Sequence, residues 1–319
     1  MPDLPKRKLG RTGLEVTVLG FGAMELRGPG SGFRGRPLAE GQAQRVLNAV
    51  LDSGINFIDT SIDYGESEEN IGKFISHRRN EYILASKCGC IVDPALASVT
   101  PPSPGGGPFP HIFTRKNIVD GVNQSLRRMK TDHLDLVQFH ASPSKQVLEQ
   151  EGAIQTLLDL KREGKIRFIG SSSTLPNLAE HIHMGVFDEF QIPYSALQRE
   201  HEEAIAQAAR AGAGTVIRGG VARGAPGEGQ GREDNWKLWE KAGLNDLLDG
   251  MTQTEFMLRF TITHPELSTT IVGTLNPEHL KANVDAVRKG PLPASVYNEA
   301  KRRLAAAGVE PGKKLAGQY

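Results

Sequence analysis

Eight short apolar runs recur along the chain: VTVLGFG (16–22), NFID (56–59), YILAS (82–86), LDLVQF (134–139), IRFIG (166–170), DEFQI (188–192), GTVI (214–217) and STTIV (268–272). Near-continuous apolarity of this kind, in place of strict alternation, is the pattern of parallel strands covered on both faces. Helical periodicity fills the gaps between them. Ile118, Val122, Leu126 and Met129 share one face after Thr114, which predicts a helix capped by that threonine. Ile154, Leu157, Leu158 and Leu160 make a broader apolar face that stops at Arg162-Glu163-Gly164. Thr252 and Glu255 have capping-box spacing ahead of Phe256, Met257, Leu258 and Phe260. Asn276-Pro277-Glu278 reads as an N-cap, a first-turn proline and an acid at the positive end of the helix dipole. Strand alternating with helix predicts a parallel sheet with helical crossovers. Eight such units predict a closed (β/α)8 barrel in one domain over residues 1–319, with a doubly wound open sheet as the competing topology.

Two stretches interrupt the alternation. Residues 88–113 hold six prolines and three adjacent glycines, and residues 219–235 hold six glycines. Both follow apolar runs, so both belong to the barrel face where the strand C-termini emerge. Loops of this length in a compact fold are usually functional or disordered.

Composition adds exclusions. Thirty-eight basic against 37 acidic residues leave a net charge of +1 in 319 residues, which gives no electrostatic footprint for nucleic acid or an acidic membrane. The apolar runs are far too short to span a bilayer. The opening MPDLPKRKLG lacks the apolar stretch of a secretory signal. Two cysteines, Cys88 and Cys90, make neither a disulfide framework nor, by themselves, a structural zinc set. The expectation is inert packing for both, no metal site, and a reducing, cytoplasmic setting.

The chemistry stands just after the runs. The second run ends in Asp59, with Tyr64 five residues on; the third is followed by Lys87 and the fourth by His140. Ser171-Ser172-Ser173 follows the fifth, Gln191 lies in the sixth, Arg218 closes the seventh, and Gly273-Thr274 follows the eighth. In a barrel these positions converge on one face. A carboxylate, a phenol, an amine and an imidazole aimed at one spot make a proton-transfer set. A free phenol, with a pKa of about 10, is a weak acid at neutral pH; a nearby ammonium is expected to lower that value. Asp59 would hold Lys87, and Asp63 in the same stretch is a rival carboxylate. Protonating a carbonyl oxygen calls for a nucleophile at its carbon. With no serine elbow or reactive cysteine in the pattern, a hydride from a cofactor is the economical partner.

At these residues the sequence resembles the aldo-keto reductase superfamily. The stretches that carry the resemblance are KLGRTGLEVTVLGFGAM (8–24), GINFIDTSIDYGESEENIGK (54–73), ASKCG (85–89), SLRRMKTDHLDLVQFH (125–140), LKREGKIRFIGSSS (160–173), FQIPYSALQRE (190–200) and TIVGTLNPEHLKANV (270–284), in the family's order over almost the whole chain. The resemblance implies a (β/α)8 barrel with an N-terminal hairpin, reducing a small-molecule aldehyde or ketone with NADPH or NADH. It implies Tyr64 as the acid, Lys87 and Asp59 as its partners, and His140 as the group that orients the substrate. For the nicotinamide it implies Ser171, Ser172, Ser173 and Gln191, with Ser173 standing where members carry Asn, and backbone from Gly22 through Ala23 to Met24. Where members stack an aromatic ring, this chain has Arg218, with a stacking, a phosphate or a substrate-carboxylate role open to it. Gly219, Val221 and Arg223 fall in the loop over the cofactor pyrophosphate. Thr274, Asn276, His279 and Asn283 fall in the adenosine-phosphate segment. There the chain offers His279 and Lys281 where many NADPH-specific members place Lys or Arg, which favours NADP(H) and leaves NAD(H) open. The competing function is a cofactor-binding, non-enzymatic redox-sensing subunit; a metal-dependent barrel hydrolase is a weaker third.

Overall fold

The structure, a computed structural model, describes residues 3–30, 35–97, 110–222, 224 and 233–314. Among the described residues ten strands carry the fold: β1 (Lys6–Lys8), β2 (Glu15–Thr17), β3 (Leu19–Gly22), β4 (Phe57–Asp59), β5 (Ile83–Cys88), β6 (Leu134–Phe139), β7 (Ile166–Ser172), β8 (Glu189–Pro193), β9 (Gly214–Arg218) and β10 (Thr269–Val272). Strands β3 to β10 form a closed barrel in chain order, and β10 pairs with both β9 and β3 to seal it. Every pairing within the barrel is parallel. At least one helix follows each barrel strand, as parallel neighbours require.

The first apolar run is divided between two elements. Residues Glu15–Thr17 pair antiparallel with Lys6–Lys8 in a separate hairpin, and the barrel strand starts only at Leu19. The run is unbroken because Val16 and Val18 are both buried, although in different places. Val16 joins Leu9 in the barrel-interior cluster with Phe57, Ala85, Leu136 and Val216. The hairpin is thus a plug at the strand starts. Gly10 makes the close approach possible: a Cβ there would sit 2.1 Å from the Gly214 nitrogen. The basic residues of the plug hold it down. Arg7 donates to the carbonyls of Ile262, His264 and Leu267, and Arg11 to those of Phe187 and Ala211.

The caps read from sequence form. Thr114 accepts from Asn117 N, Thr252 from Glu255 N, and Asn276 from Glu278 N. The carboxylate of Glu255 does not return to complete the capping box; it engages Arg259 and Lys289. Leu158 is exposed, so the apolar face of the helix Ala153–Arg162 is narrower than the sequence suggested, with Leu157 and Leu160 carrying it. No helix among the described residues is long and apolar enough to cross a membrane.

Candidate active site

Side chains of a strand alternate between the two faces of the sheet, so the interior cluster fixes which residues look into the barrel. Phe57 is inside, hence Asp59; Ala85 inside, hence Lys87; Leu136 inside, hence Gln138; Val216 inside, hence Arg218. The neighbours Ile58, Cys88, Val137, Phe139, Ile169 and Ile217 belong to the outer core between sheet and helices. The interior polar layer sits at the C-terminal ends of the strands, above the apolar plug.

An ion pair is its centre. The Lys87 ammonium, with 1% of its surface exposed, donates to Asp59 Oδ2 at 2.7 Å and to the Thr60 carbonyl at 2.7 Å. Asp59 Oδ1 accepts from Gln191 Nε2 at 2.8 Å and more weakly from Gln138 Nε2 at 3.4 Å. Burial is the largest single influence and would lower the lysine's pKa, but the charge and hydrogen bond of Asp59, together with the charges of Tyr64 and Asp63, outweigh it and the net direction is upward. Lys87 is therefore a fixed cation at every working pH. Its nitrogen lies 5.0 Å from the centre of the Tyr64 ring, and the Tyr64 and His140 rings meet edge-on at 6.0 Å.

The phenol departs from the sequence expectation. Lys87 does pull its pKa down, but burial, reinforced by the charges of Asp59 and Asp63, pushes it up to about 12. Tyr64 is a proton-holding phenol, because desolvation penalises the phenolate more than one ammonium, itself neutralised by Asp59, can repay. Burial holds the imidazole of His140 down at about 3 against the opposing charge of Asp63, with His111, Lys87 and Arg218 adding to the depression. His140 is a neutral ring.

The two rival carboxylates separate cleanly. Asp59 faces Lys87, whereas Asp63 accepts from Ser61 Oγ at 2.6 Å and lies 3.7 Å from His140 Nδ1. The same ring nitrogen is 3.3 Å from Cys90 Sγ and 3.2 Å from His111 Nε2. Sequence reasoning missed His111 and Gln138 and set Cys90 aside as packing. Cys88 does pack in the outer core, two residues from a Cys90 that does not.

The serine triplet also divides by alternation. Ser172 faces the interior and donates to Gln191 Oε1 at 3.2 Å. Ser171 and Ser173 turn outward, and both hydroxyls meet His181 Nδ1, at 3.0 and 2.8 Å. Their side chains are buried with His181, whose other nitrogen meets the Pro143 carbonyl at 2.9 Å. Around the rim, Gly22 pairs in register with Asp59, Ala23 is buried, and Met24 is 37% exposed. Gly219 is exposed with φ of 76°, Val221 is partly buried, and Arg223 with residues 225–232 lies outside the described residues. Likewise, residues 98–109 of the long stretch after β5 lie outside them. Thr274 Oγ1 accepts from Asn276 N at 3.1 Å, so both residues shape the turn that opens the helix Pro277–Arg288. His279 and the buried Asn283 lie in that helix, and Lys281 pairs with Asp285 at 2.6 Å.

A nicotinamide dinucleotide fits this donor set. The primary amide of Gln191 and the hydroxyl of Ser172 form an amide-recognising pair beside Asp59. Among the described residues Gln138 Oε1 is buried without a hydrogen-bond partner. At the same barrel face, the N-terminus of the helix Pro277–Arg288, which follows β10, favours an anion.

Comparison with known proteins agrees with this picture. The Aldo/keto reductase family model matches residues 18–304. The chain is 28% identical over 298 residues to an uncharacterized oxidoreductase, YqkF, of Bacillus subtilis (strain 168), covering 88% of this chain and 90% of that one. It is 28% identical over 312 residues to L-galactose dehydrogenase of Arabidopsis thaliana, covering 90% and 89%. Among solved structures, the holo form of aldo-keto reductase AKR11C1 from Bacillus halodurans superposes with a TM-score of 0.77 at 30% identity, covering 94% of this chain and 96% of that one.

Proposed function

We propose, on the premise that this chain belongs to the aldo/keto reductase family, that it reduces an aldehyde or ketone to an alcohol with NADP(H), using Tyr64 as the proton donor. The chain is an oxidoreductase of that family, whose members use nicotinamide cofactors. When bound, that cofactor supplies a hydride to the carbonyl carbon.

The residues do the rest. As negative charge develops on the carbonyl oxygen, Tyr64 transfers its phenolic proton to it. A phenol held at a pKa of about 12 keeps its proton until the oxygen has become strongly basic. Lys87 then faces the phenolate, and Asp59 and the Thr60 carbonyl prevent the ammonium from moving away. His140, neutral and edge-on to Tyr64, donates one N–H to the same oxygen and sets its direction. Ser172 and Gln191 would hold the carboxamide, and Arg218 adds positive charge that acts on both Tyr64 and His140. The preference for NADP(H) rests on His279 in the first turn of a helix that opens toward the mouth.

One observation carries the reading: a fully buried ammonium, locked to Asp59 and 5.0 Å from a phenol ring, at the mouth of a closed barrel. The test is NADPH consumption against a panel of simple aldehydes and ketones. Turnover that follows carbonyl concentration supports the reading. Tight NADPH binding with no turnover on any carbonyl would favour the redox-sensing subunit instead.

A further inference from the structure

Beside the proton-transfer set lies a second group of side chains that the reductase reading does not use. Asp63, Cys90 and His111 surround the Nδ1 face of His140, and the ligating atoms of all four residues lie within 4.8 Å of one another. They come from four separate places: the loop after β4, the residue two beyond β5, the far end of the long stretch that follows, and the end of β6. We propose that these four side chains form a zinc-binding site at the barrel mouth.

Hydrogen bonding alone accounts poorly for the cluster. An imidazole nitrogen carries either one proton or one lone pair. His140 Nδ1 nevertheless has Cys90 Sγ at 3.3 Å, His111 Nε2 at 3.2 Å and Asp63 Oδ2 at 3.7 Å. One proton cannot serve three neighbours, whereas one cation at their centre can. Among the described residues Asp63 Oδ2 is buried with no hydrogen-bond donor, which is costly for a carboxylate oxygen unless a positive charge faces it.

The spacings suit a tetrahedral ion. Zinc bonds of about 2.0–2.1 Å to nitrogen or oxygen and about 2.3 Å to sulfur put ligand atoms about 3.3–3.6 Å apart. The three distances around Nδ1 bracket that range, and drawing in a pair at the 4.8 Å limit of the cluster would take about 1 Å of movement. The donors select the metal. A thiol and two imidazoles disfavour magnesium and calcium, which want oxygen, and suit zinc. A thiolate and a carboxylate would balance the charge of the ion within the site.

The surroundings hold the ligands in place. Ser61 Oγ donates to Asp63 Oδ1 and also lies 3.4 Å from Cys90 Sγ. Cys90 and His111 face each other in an antiparallel bridge. Asn117 ties both strands of that bridge together, donating to the carbonyls of Cys90 and Ile112. Four protein ligands close the coordination sphere, so the metal's role is positional. With Nδ1 on the metal, His140 keeps its proton on Nε2, the tautomer that donates a hydrogen bond outward. The site does not depend on the reductase reading, and its test reads the metal, not turnover.

The full-length protein, stripped with a chelator, is titrated with Co2+ and followed by absorption. The expected result is one Co2+ per chain, with tetrahedral d–d bands and a thiolate-to-cobalt charge-transfer band, all abolished by one equivalent of Zn2+. Cys90→Ser should remove the charge-transfer band, while Cys88→Ser should leave it unchanged. His111→Ala should weaken Co2+ binding by at least about tenfold. Absence of stoichiometric Co2+ binding to the folded wild-type chain overturns the proposal. So does a charge-transfer band that survives Cys90→Ser.

Discussion

At Lys87 and Asp59, two charges are held out of water in the wall of the barrel interior, at 2.7 Å, with amide donors satisfying the second carboxylate oxygen. Such a pair contributes little net stability when intact but costs heavily when halved. Lys87→Met should therefore lower the unfolding free energy by about 3–5 kcal/mol, read as a drop in the urea midpoint, because it leaves Asp59 facing only amides. An unchanged midpoint would contradict this cost of halving the pair. The identity of this pair was legible, since each residue closes an apolar run. The state of Tyr64 was not, because burial outweighs the neighbouring ammonium and burial is not written in a local stretch. The serine triplet shows a readable signal that went unused: Phe168, Gly170 and Ser172 share one face, so Ser171 and Ser173 must take the other. Likewise Cys90, His111 and Asp63 are each unremarkable alone, and only the closed barrel brings them to His140.

Among the elements, the helix Pro277–Arg288 is where the proposed preference for NADP(H) would be set. Its first turn is pinned by Asn276 and Thr274, so His279 is presented at a fixed N-terminus. His279→Ala should raise the NADPH dissociation constant severalfold and leave NADH nearly unaffected; equal effects in a fluorescence titration would remove His279 from the phosphate position. The same region shows why elements were easier to read than their joins. N-caps at Thr114, Thr252 and Asn276 are local chemistry and form as read, except that Glu255 leaves the capping box at Thr252 half made. The division of the first run at Val18 is not local. Hairpin and barrel strand are both buried there, and nothing in VTVLGFG marks where the chain leaves one sheet for the other.

Over the whole molecule, closure of the barrel fills its wall with polar groups that must be satisfied or neutral. Burial lowers the pKa of His181 and of His201 to about 4, from an ordinary 6.5. A histidine whose folded pKa is depressed binds more protons when unfolded, so stability rises with pH across that interval. The protein should thus lose stability as pH falls from about 6.5 toward 4, and His181→Asn should flatten that slope in denaturant titrations at several pH values. An equally steep slope in the variant would mean that His181 is already charged in the native state. Glu189 obeys the same rule from the acid side: among the described residues its two oxygens are buried without hydrogen-bond donors, and burial pushes its carboxyl well above the usual range, which favours the neutral form. Gly170 makes room for it, since a Cβ there would come within 2.2 Å of Glu189 Oε2. Against this background of neutral groups, the proposed chemistry requires one phenol to give up its proton beside one fixed cation. The most direct test is Tyr64→Phe, assayed for carbonyl-dependent NADPH oxidation and for NADPH affinity on the same preparation. The account predicts that kcat falls by about 10²–10⁴-fold while the NADPH dissociation constant stays within about threefold. A Tyr64→Phe protein that turns over at the wild-type rate would contradict it.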